Sequence, residues 1–159
     1  MSVNMKHISR RPVLRTDWPL VREWRNEPSV FGYLGTNRAL SLEEHMTWFD
    51  NRLKDVESYP LFGYYIENQL IAITRIDPYE KHFYEISIIV SPNHRKEGVA
   101  FFCLQDTLDY LVTDAKYSET SIFATIHPSN VASFRLFTKL GFNQVKLNDN
   151  GFSVLKISN

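Results

Sequence analysis

Six consecutive residues, Arg95-Lys96-Glu97-Gly98-Val99-Ala100, bring two cations and a glycine to the point where a strand-like run gives way to an amphipathic helix. The run before them is Phe83-Tyr84-Glu85-Ile86-Ser87-Ile88-Ile89-Val90. A strand that passes through a glycine turn into a helix N-terminus is suited to holding phosphate. The N–H groups of the first helical turn lack intrahelical partners, and the helix dipole favours negative charge beside them. Gly98 omits the Cβ that would keep a ligand off the backbone, and Arg95 and Lys96 supply charge for a diphosphate. The order Arg-x-x-Gly-x-Ala is not the Gly-x-Gly-x-x-Gly of a dinucleotide fold, and no Walker lysine–serine pair follows. Within the strand, Glu85 is a carboxyl in an otherwise apolar run, where burial would raise its pKa toward that of a working base. Alternation puts it on one face with Phe83, Ser87 and Ile89, a mixed face such as a cleft wall has. The competing reading is an edge residue that points to solvent.

Other titratable groups carry less. Five histidines, His7, His45, His82, His94 and His127, show no metal-ligand spacing with a third ligand, so no metal site is expected. His94 adjoins the glycine loop and has two readings, a phosphate contact or solvent exposure, of which exposure is expected. The one cysteine, Cys103, sits beside a helical apolar stripe and reads as a packing residue.

The elements that must position these residues follow from pattern. Pro12 to Thr16 reads as a short strand, after polar residues that are loose or form an edge strand. Thr16 or Asp17 caps a helix carrying Leu20, Val21 and Trp24, which Pro28 ends. Ser41-Leu42-Glu43-Glu44 has the form of a capping box. It opens a helix with Leu42, Met46, Phe49 and Leu53 as its core-facing stripe. Leu61 to Glu67 and Leu70 to Ile76 pair across a turn in which Asn68 takes the left-handed conformation. Phe83 to Val90 is the next strand, stopped by Pro92. Phe101, Leu104, Leu108, Leu111 and Ala115 mark a long helix. Ser121 to Ile126 is a strand, Asn130 caps a helix, and Gly141 closes it. Gln144–Leu147 and Phe152–Ile157 read as a hairpin around Asn150-Gly151. The order implies an α/β (α+β) domain over 1–159, a mixed sheet of about seven strands with helices on both faces.

A second block, Asn130-Val131-Ala132-Ser133-Phe134-Arg135-Leu136-Phe137-Thr138-Lys139-Leu140-Gly141-Phe142, completes a recognisable pair with the glycine loop. Together they resemble the GNAT superfamily of N-acetyltransferases, whose blocks read Arg/Gln-x-x-Gly-x-Gly/Ala and Asn-x-x-Ala-x-x-x-Tyr-x-Lys-x-Gly-Phe. The resemblance implies a splayed cleft between the fourth and fifth strands and direct acetyl transfer from acetyl-CoA to a primary amine, with no metal. The pantetheine arm would lie along Ile88, Ile89 and Val90, and the diphosphate against Arg95, Lys96, Glu97, Gly98, Val99 and Ala100. Glu85 would act as the base through water. Phe137 stands where the family has a tyrosine acid, so the thiolate leaves unassisted, or water or Ser133, one turn earlier, assists. Phe137 would then pack beside the cofactor thiol. Asn130 has two readings, a hydrogen bond to the arm or a helix cap.

The N-terminal half would hold the acceptor. Trp24-Arg25-Asn26 and Glu43-Glu44-His45-Met46-Thr47-Trp48-Phe49 resemble acetyltransferases of nucleotide-linked amino sugars, the pseudaminic acid pathway type, and share features with ribosomal-protein N-terminal acetyltransferases. Arg25, His45 and Trp48 are the substrate contacts this implies; the competing reading makes Trp24, Trp48 and Phe49 core anchors, and for Phe49 it is the one expected. The alternatives are a protein N-terminus as acceptor and, in another class, a CoA-binding sensor or scaffold without catalysis.

Bulk properties set limits. With 159 residues, one domain is the simplest organisation. Eighteen basic residues balance eighteen acidic ones, which gives no global field for nucleic acid or an anionic membrane. No apolar run approaches a membrane span, and Met1 to Arg15 lacks the apolar segment of a signal peptide. A cytoplasmic protein is expected. Pairing of two copies through an exposed C-terminal strand, giving a homodimer, is a further option.

Overall fold

The structure is a computed structural model that describes residues 2–158. Met1 and Asn159, which the single-domain expectation includes, lie outside the described residues. Seven strands form one sheet: β1 (Ile8–Pro12), β2 (Leu61–Ile66), β3 (Gln69–Glu80), β4 (Phe83–Val90), β5 (Ser121–Ile126), β6 (Asn143–Leu147) and β7 (Ser153–Ser158), in the spatial order β1-β2-β3-β4-β5-β7-β6. The helices are α1 (Trp18–Arg25), α2 (Pro28–Phe31), α3 (Leu42–Lys54), α4 (Val99–Thr113) and α5 (Val131–Lys139). β1 to β4 form an antiparallel meander, β4 and β5 are parallel, and β5, β7 and β6 are antiparallel again. The parallel neighbours β4 and β5 need a long crossover, which α4 supplies, and α5 carries the chain from β5 past β7 to β6.

Side-chain alternation sends the sheet's apolar residues to two faces. On one, Ile73, Leu61 and Tyr65 pack under Val21 and Trp24 of α1 and Phe49 of α3. On the other, Ile76, Ile86, Ile122 and Leu155 pack under Leu104, Leu108 and Leu111 of α4 and Phe137 of α5. A buried hydroxyl chain also fastens α4 to the sheet. Tyr64 Oη lies 2.6 Å from Thr107 Oγ1, which lies 2.7 Å from Thr74 Oγ1. Cys103 is fully buried, and burial pushes its thiol pKa up, as a packing residue requires.

β4 and β5 run over the expected residues, and the capping box at Ser41 is formed, with Glu44 N donating to Ser41 Oγ and Ser41 N to Glu44 Oε2. Gly141 has φ +96 just after α5, where a left-handed residue closes the helix.

Several boundaries differ. The first strand is Ile8–Pro12, not Pro12–Thr16, because it pairs with β2 through Ile8 to Pro12. Pro28 does not end α1, which stops at Arg25; it opens α2, since proline suits a first helical position. The α3 stripe is turned from the expected one: His45, Phe49 and Arg52 are buried, while Leu42 is 54% exposed. In the β2–β3 turn the left-handed residue is Glu67 rather than Asn68. β3 continues past Ile76 to Glu80, with a register shift at Pro78/Glu80. Ala115 lies beyond α4 in a 3-10 turn. The last hairpin closes through a longer loop, in which Asn148 Oδ1 accepts from Asn150 N and Phe152 N, and Gly151 takes φ +77.

Candidate active site

β4 and β5 part company within the sheet. They pair only from Phe83–Ser121 to Glu85–Phe123, although β4 runs on to Val90 and β5 to Ile126. β4 stays bonded to β3 as far as Val90. The other edge of β4 from residue 86 to 90 therefore faces a gap, where its backbone groups, apart from the Val90 carbonyl that accepts from Arg95, have no strand partner and can take an extended amide chain.

Glu85 stands at the fork. It is half-buried and is the last β4 residue in register with β5. Thr125 of β5 lines the same cavity as Glu85 and lies near enough to favour its ionised form. Across β3 the register partner of Glu85 is Asp77, and Ser87 faces Arg75. Arg75 donates from Nε to Ser87 Oγ at 2.6 Å and pairs with Asp77 at 3.4 Å. Asp77 also receives Nη1 of the buried Arg52. Burial pushes the Glu85 pKa up; the Arg75 charge opposes this, Asp77 reinforces it, and the nearby Thr125 opposes it again. The carboxyl at the base of the gap is thus biased toward its protonated form.

One end of the gap leads to the glycine loop. α4 has Gly98 as N-cap with no side-chain cap, no acidic residue in its first turn, and a first intrahelical bond from Phe102 N to Gly98 O. The N–H groups of Val99, Ala100 and Phe101 are thus without intrahelical partners. Gly98 has φ +82, and a Cβ there would meet only Met5 Cε, at 3.7 Å. The requirement for glycine is thus conformational rather than steric. Lys96 is exposed and also left-handed, at φ +62. Glu97 is half-buried and Val99 buried. Arg95 is already engaged: Nε donates to Val90 O at 3.1 Å and Nη1 to Glu27 Oε2 at 2.9 Å. Its Nη2 and Nδ1 of His94 are buried without a partner, and His94 is half-buried rather than exposed. Unpartnered donors and an uncapped helix start fit a phosphate-bearing group at this loop.

The other end opens into a cavity of about 920 Å³. Arg25, His45 and Trp48 line it together with Glu85, Ile88 and Ile89. His45 is 1% exposed, its ring lies 5.4 Å from that of Trp48, and neither ring nitrogen has a partner. Burial, with Arg22 and Arg25 nearby, pushes its pKa down to about 4, so the ring is neutral at pH 7. Arg25 donates to Thr36 Oγ1 at 2.6 Å and to Arg38 O at 3.3 Å.

The second block is arranged otherwise. Asn130 Oδ1 accepts from Ser133 N, which makes Asn130 the cap of α5. Phe137 is 4% exposed and meets Phe142 edge to face at 5.1 Å, so its ring belongs to the core. Ser133 is half-buried, and none of Asn130, Ser133 and Phe137 lines the cavity. Val90 is buried against Val99 and Cys103.

Sequence reasoning missed Asp77, Arg75 and Thr125 around Glu85, and the cavity wall from Tyr33 to Thr36. The signal for Arg75 and Asp77 is their shared parity on a strand that runs four residues past Ile76, to Glu80. Nothing local marks Thr125, which meets Glu85 only because two distant strands fork there.

A family model for the acetyltransferase (GNAT) domain matches residues 9–143. Uncharacterized N-acetyltransferase YnaD of Bacillus subtilis (strain 168) is 26% identical over 149 residues, which cover 91% of this chain and 84% of that protein. A domain from Methanocaldococcus jannaschii DSM 2661 superposes with a TM-score of 0.83 at 20% identity, over 96% of this chain and 98% of the other. Aminoglycoside acetyltransferase AAC(6')-Ib, in complex with coenzyme A and kanamycin, superposes with a TM-score of 0.77 at 14% identity, over 96% of this chain and 95% of the other.

Proposed function

The chain belongs to the GNAT acetyltransferase family, and from that premise we propose that it moves an acetyl group from acetyl-CoA directly to a primary amine, on a nucleotide-linked amino sugar, with Glu85 as base. The observation that carries this reading is the fork. The pairing of β4 with β5 stops at Glu85, leaving a gap that runs from the uncapped start of α4 to a cavity lined by Arg25, His45 and Trp48.

Acetyl-CoA supplies the acetyl group already activated as a thioester. The gap edge of β4 at Ile88, Ile89 and Val90 holds the pantetheine arm by main-chain hydrogen bonds, and one N–H there donates to the thioester oxygen. The first-turn amides of α4 at Val99 and Ala100, with Gly98, Glu97, Lys96 and the free Nη2 of Arg95, hold the diphosphate. Ionised Glu85 takes a proton from the amine through a water, so that the nitrogen lone pair can attack. As the new N–C bond forms, the C–S bond breaks and the electron pair leaves on sulfur. A thiol of pKa near 8.5 leaves without a donor, and the buried Phe137 offers none; Ser133, outside the cavity, is left with a helix-packing role. Trp48 supplies a ring face for a base or sugar.

The test measures free thiol released from acetyl-CoA over a panel of amines that includes an amino-sugar nucleotide and peptides beginning with Ala, Ser or Met. Turnover that is greatest on the sugar nucleotide and lost in Glu85→Gln supports the reading. Preference for peptides ends the sugar assignment, and CoA binding without turnover on any amine ends the catalytic one.

A further inference from the structure

The polar groups at the far end of the cavity are uncompensated in one direction. Arg22 and Arg25 lie one turn apart on α1, and neither takes part in an ion pair among the described residues. Arg25 gives its donors only to neutral oxygens, Thr36 Oγ1 and Arg38 O. Arg22 gives Nη2 to Leu40 O at 3.4 Å, and its Nε is buried without a partner. Beside them the buried His45 ring has both nitrogens unpartnered, and it lines the cavity. The neighbouring guanidinia are satisfied differently: Arg38 by Glu44, Arg75 and Arg52 by Asp77.

Buried polar groups without partners are rare in folded chains, and several at one spot mark a place where something else completes them. Arg25 lines the cavity without a carboxylate partner, Arg22 adds a second such charge beside His45, and a guanidinium free of carboxylate suits a phosphate. The wall as a whole has the same sign: Arg25, Arg75, Lys146 and Lys156 line it against Glu80 and Glu85, four cations to two carboxylates. Arg25 is already disfavoured as a cation, by burial first and then by Arg75 and Arg38. A further cation arriving there would be repelled, and an anion would relieve the repulsion.

We propose that the acceptor carries a phosphate or diphosphate at the end opposite its amine, held by Arg25 with His45 as a neutral hydrogen-bonding partner and Arg22 as a nearby charge, and that polycationic amines are rejected. This rests on the transferase reading above and adds where the charged part sits. The kanamycin complex of a structural relative concerns a polycationic acceptor on the same fold; this cavity is built for the opposite charge. His45 donates to a phosphate oxygen from one nitrogen and can accept a sugar hydroxyl on the other.

The experiment compares methyl glucosaminide, glucosamine 1-phosphate, UDP-glucosamine and kanamycin as acceptors, at saturating acetyl-CoA. The expected kcat/KM is at least roughly tenfold higher for the two phosphorylated amines than for methyl glucosaminide, with kanamycin lowest, and the advantage shrinks as salt is raised. Arg25→Gln brings the ratio of phosphorylated to neutral amine toward one, and Arg25→Lys retains part of it. Equal kcat/KM for charged and neutral sugars, or kanamycin as the best acceptor, overturns the proposal. A second readout needs no turnover: tryptophan fluorescence of Glu85→Gln, titrated with UDP-glucosamine and with methyl glucosaminide, reports binding beside Trp48. If no amine is acetylated, the transferase reading fails and this titration alone decides. Tighter binding of UDP-glucosamine, weakened about tenfold by a second change at Arg25, keeps the anion site. Equal binding of the two removes it.

Discussion

In the proposed reaction Glu85 is the base, and its surroundings set its proton affinity. Burial lifts its pKa above the ordinary carboxylate value, so the folded state favours the protonated form. That contribution to stability is complete below the unfolded value, near 4.3, and is lost as pH rises through the raised folded value. Glu85→Gln carries no charge at any pH. It should therefore melt at a higher temperature than the native chain near neutral pH, a difference that disappears below about pH 4. The same variant should lose about a hundredfold or more in kcat/KM. Melting curves at the two pH values and steady-state rates check both halves. Asp77 belongs to the same argument. Asp77→Asn removes a negative neighbour of Glu85, so the acid limb of the pH profile of kcat/KM should move to lower pH. It also strips the partner from the Arg52 guanidinium, whose Nε and Nη2 are buried without other bonds. With Asp77 28% exposed, the loss in stability should be about 2 kcal/mol, less than for a fully buried pair, as urea unfolding would measure.

At the scale of elements, the start of α4 is where local sequence and function coincide. Gly98→Ala keeps the space, since only Met5 Cε stands within 4 Å of a new Cβ, but forces a side chain into φ +82. The expected cost is about 1–2 kcal/mol in stability, with KM for acetyl-CoA raised more than KM for the amine. Ser41→Ala is the contrasting case. It removes the α3 capping box and should cost about 1 kcal/mol while leaving KM for acetyl-CoA unchanged. Unfolding curves and initial rates on the two variants separate a helix start that binds from one that only caps. Both starts were legible in advance, because capping and glycine turns act over three or four residues. The buried side of α3 was not. His45 and Arg52 take the inward positions because aromatic rings at Trp18, Trp48 and Phe49 and the Asp77 carboxylate accommodate them, and Leu42 is left exposed. A pattern that counts only apolar residues cannot see a polar side chain that finds its partner on another element.

For the whole molecule, the consequence of the fork is a row of β4 backbone groups with no strand beside them. Those amides of Ile88, Ile89 and Val90 that face the gap should exchange hydrogen readily in the free protein and become protected when CoA is added, as mass-resolved exchange would read. If they are already protected without CoA, the gap is closed in solution and the donor path proposed for it fails. The donor and acceptor halves are also joined directly. Arg95 of the glycine loop binds Glu27, which caps α2 ahead of the cavity wall at Tyr33 to Thr36. Glu27→Gln should therefore change KM for both substrates, by about fivefold or roughly 1 kcal/mol, whereas Lys96→Ala should change KM for acetyl-CoA alone. Two-substrate initial-rate kinetics distinguishes the outcomes.

The chain's own order of residues determined the strand–loop–helix unit around Gly98, the carboxyl in an apolar strand, the run of β4 and β5, and the family resemblance. Each of these is written in residues close together, where alternation, helix starts and turn chemistry operate. Only the tertiary structure decided that β4 and β5 separate just past Glu85, that Asp77 and Thr125 flank it, that Phe137 turns into the core, that Arg25 lines one end of a cavity without a carboxylate, and that His45 and Arg22 beside it keep unpartnered nitrogens. Those facts depend on which distant segments stop pairing and which meet, and packing of the assembled sheet against its helices settles that.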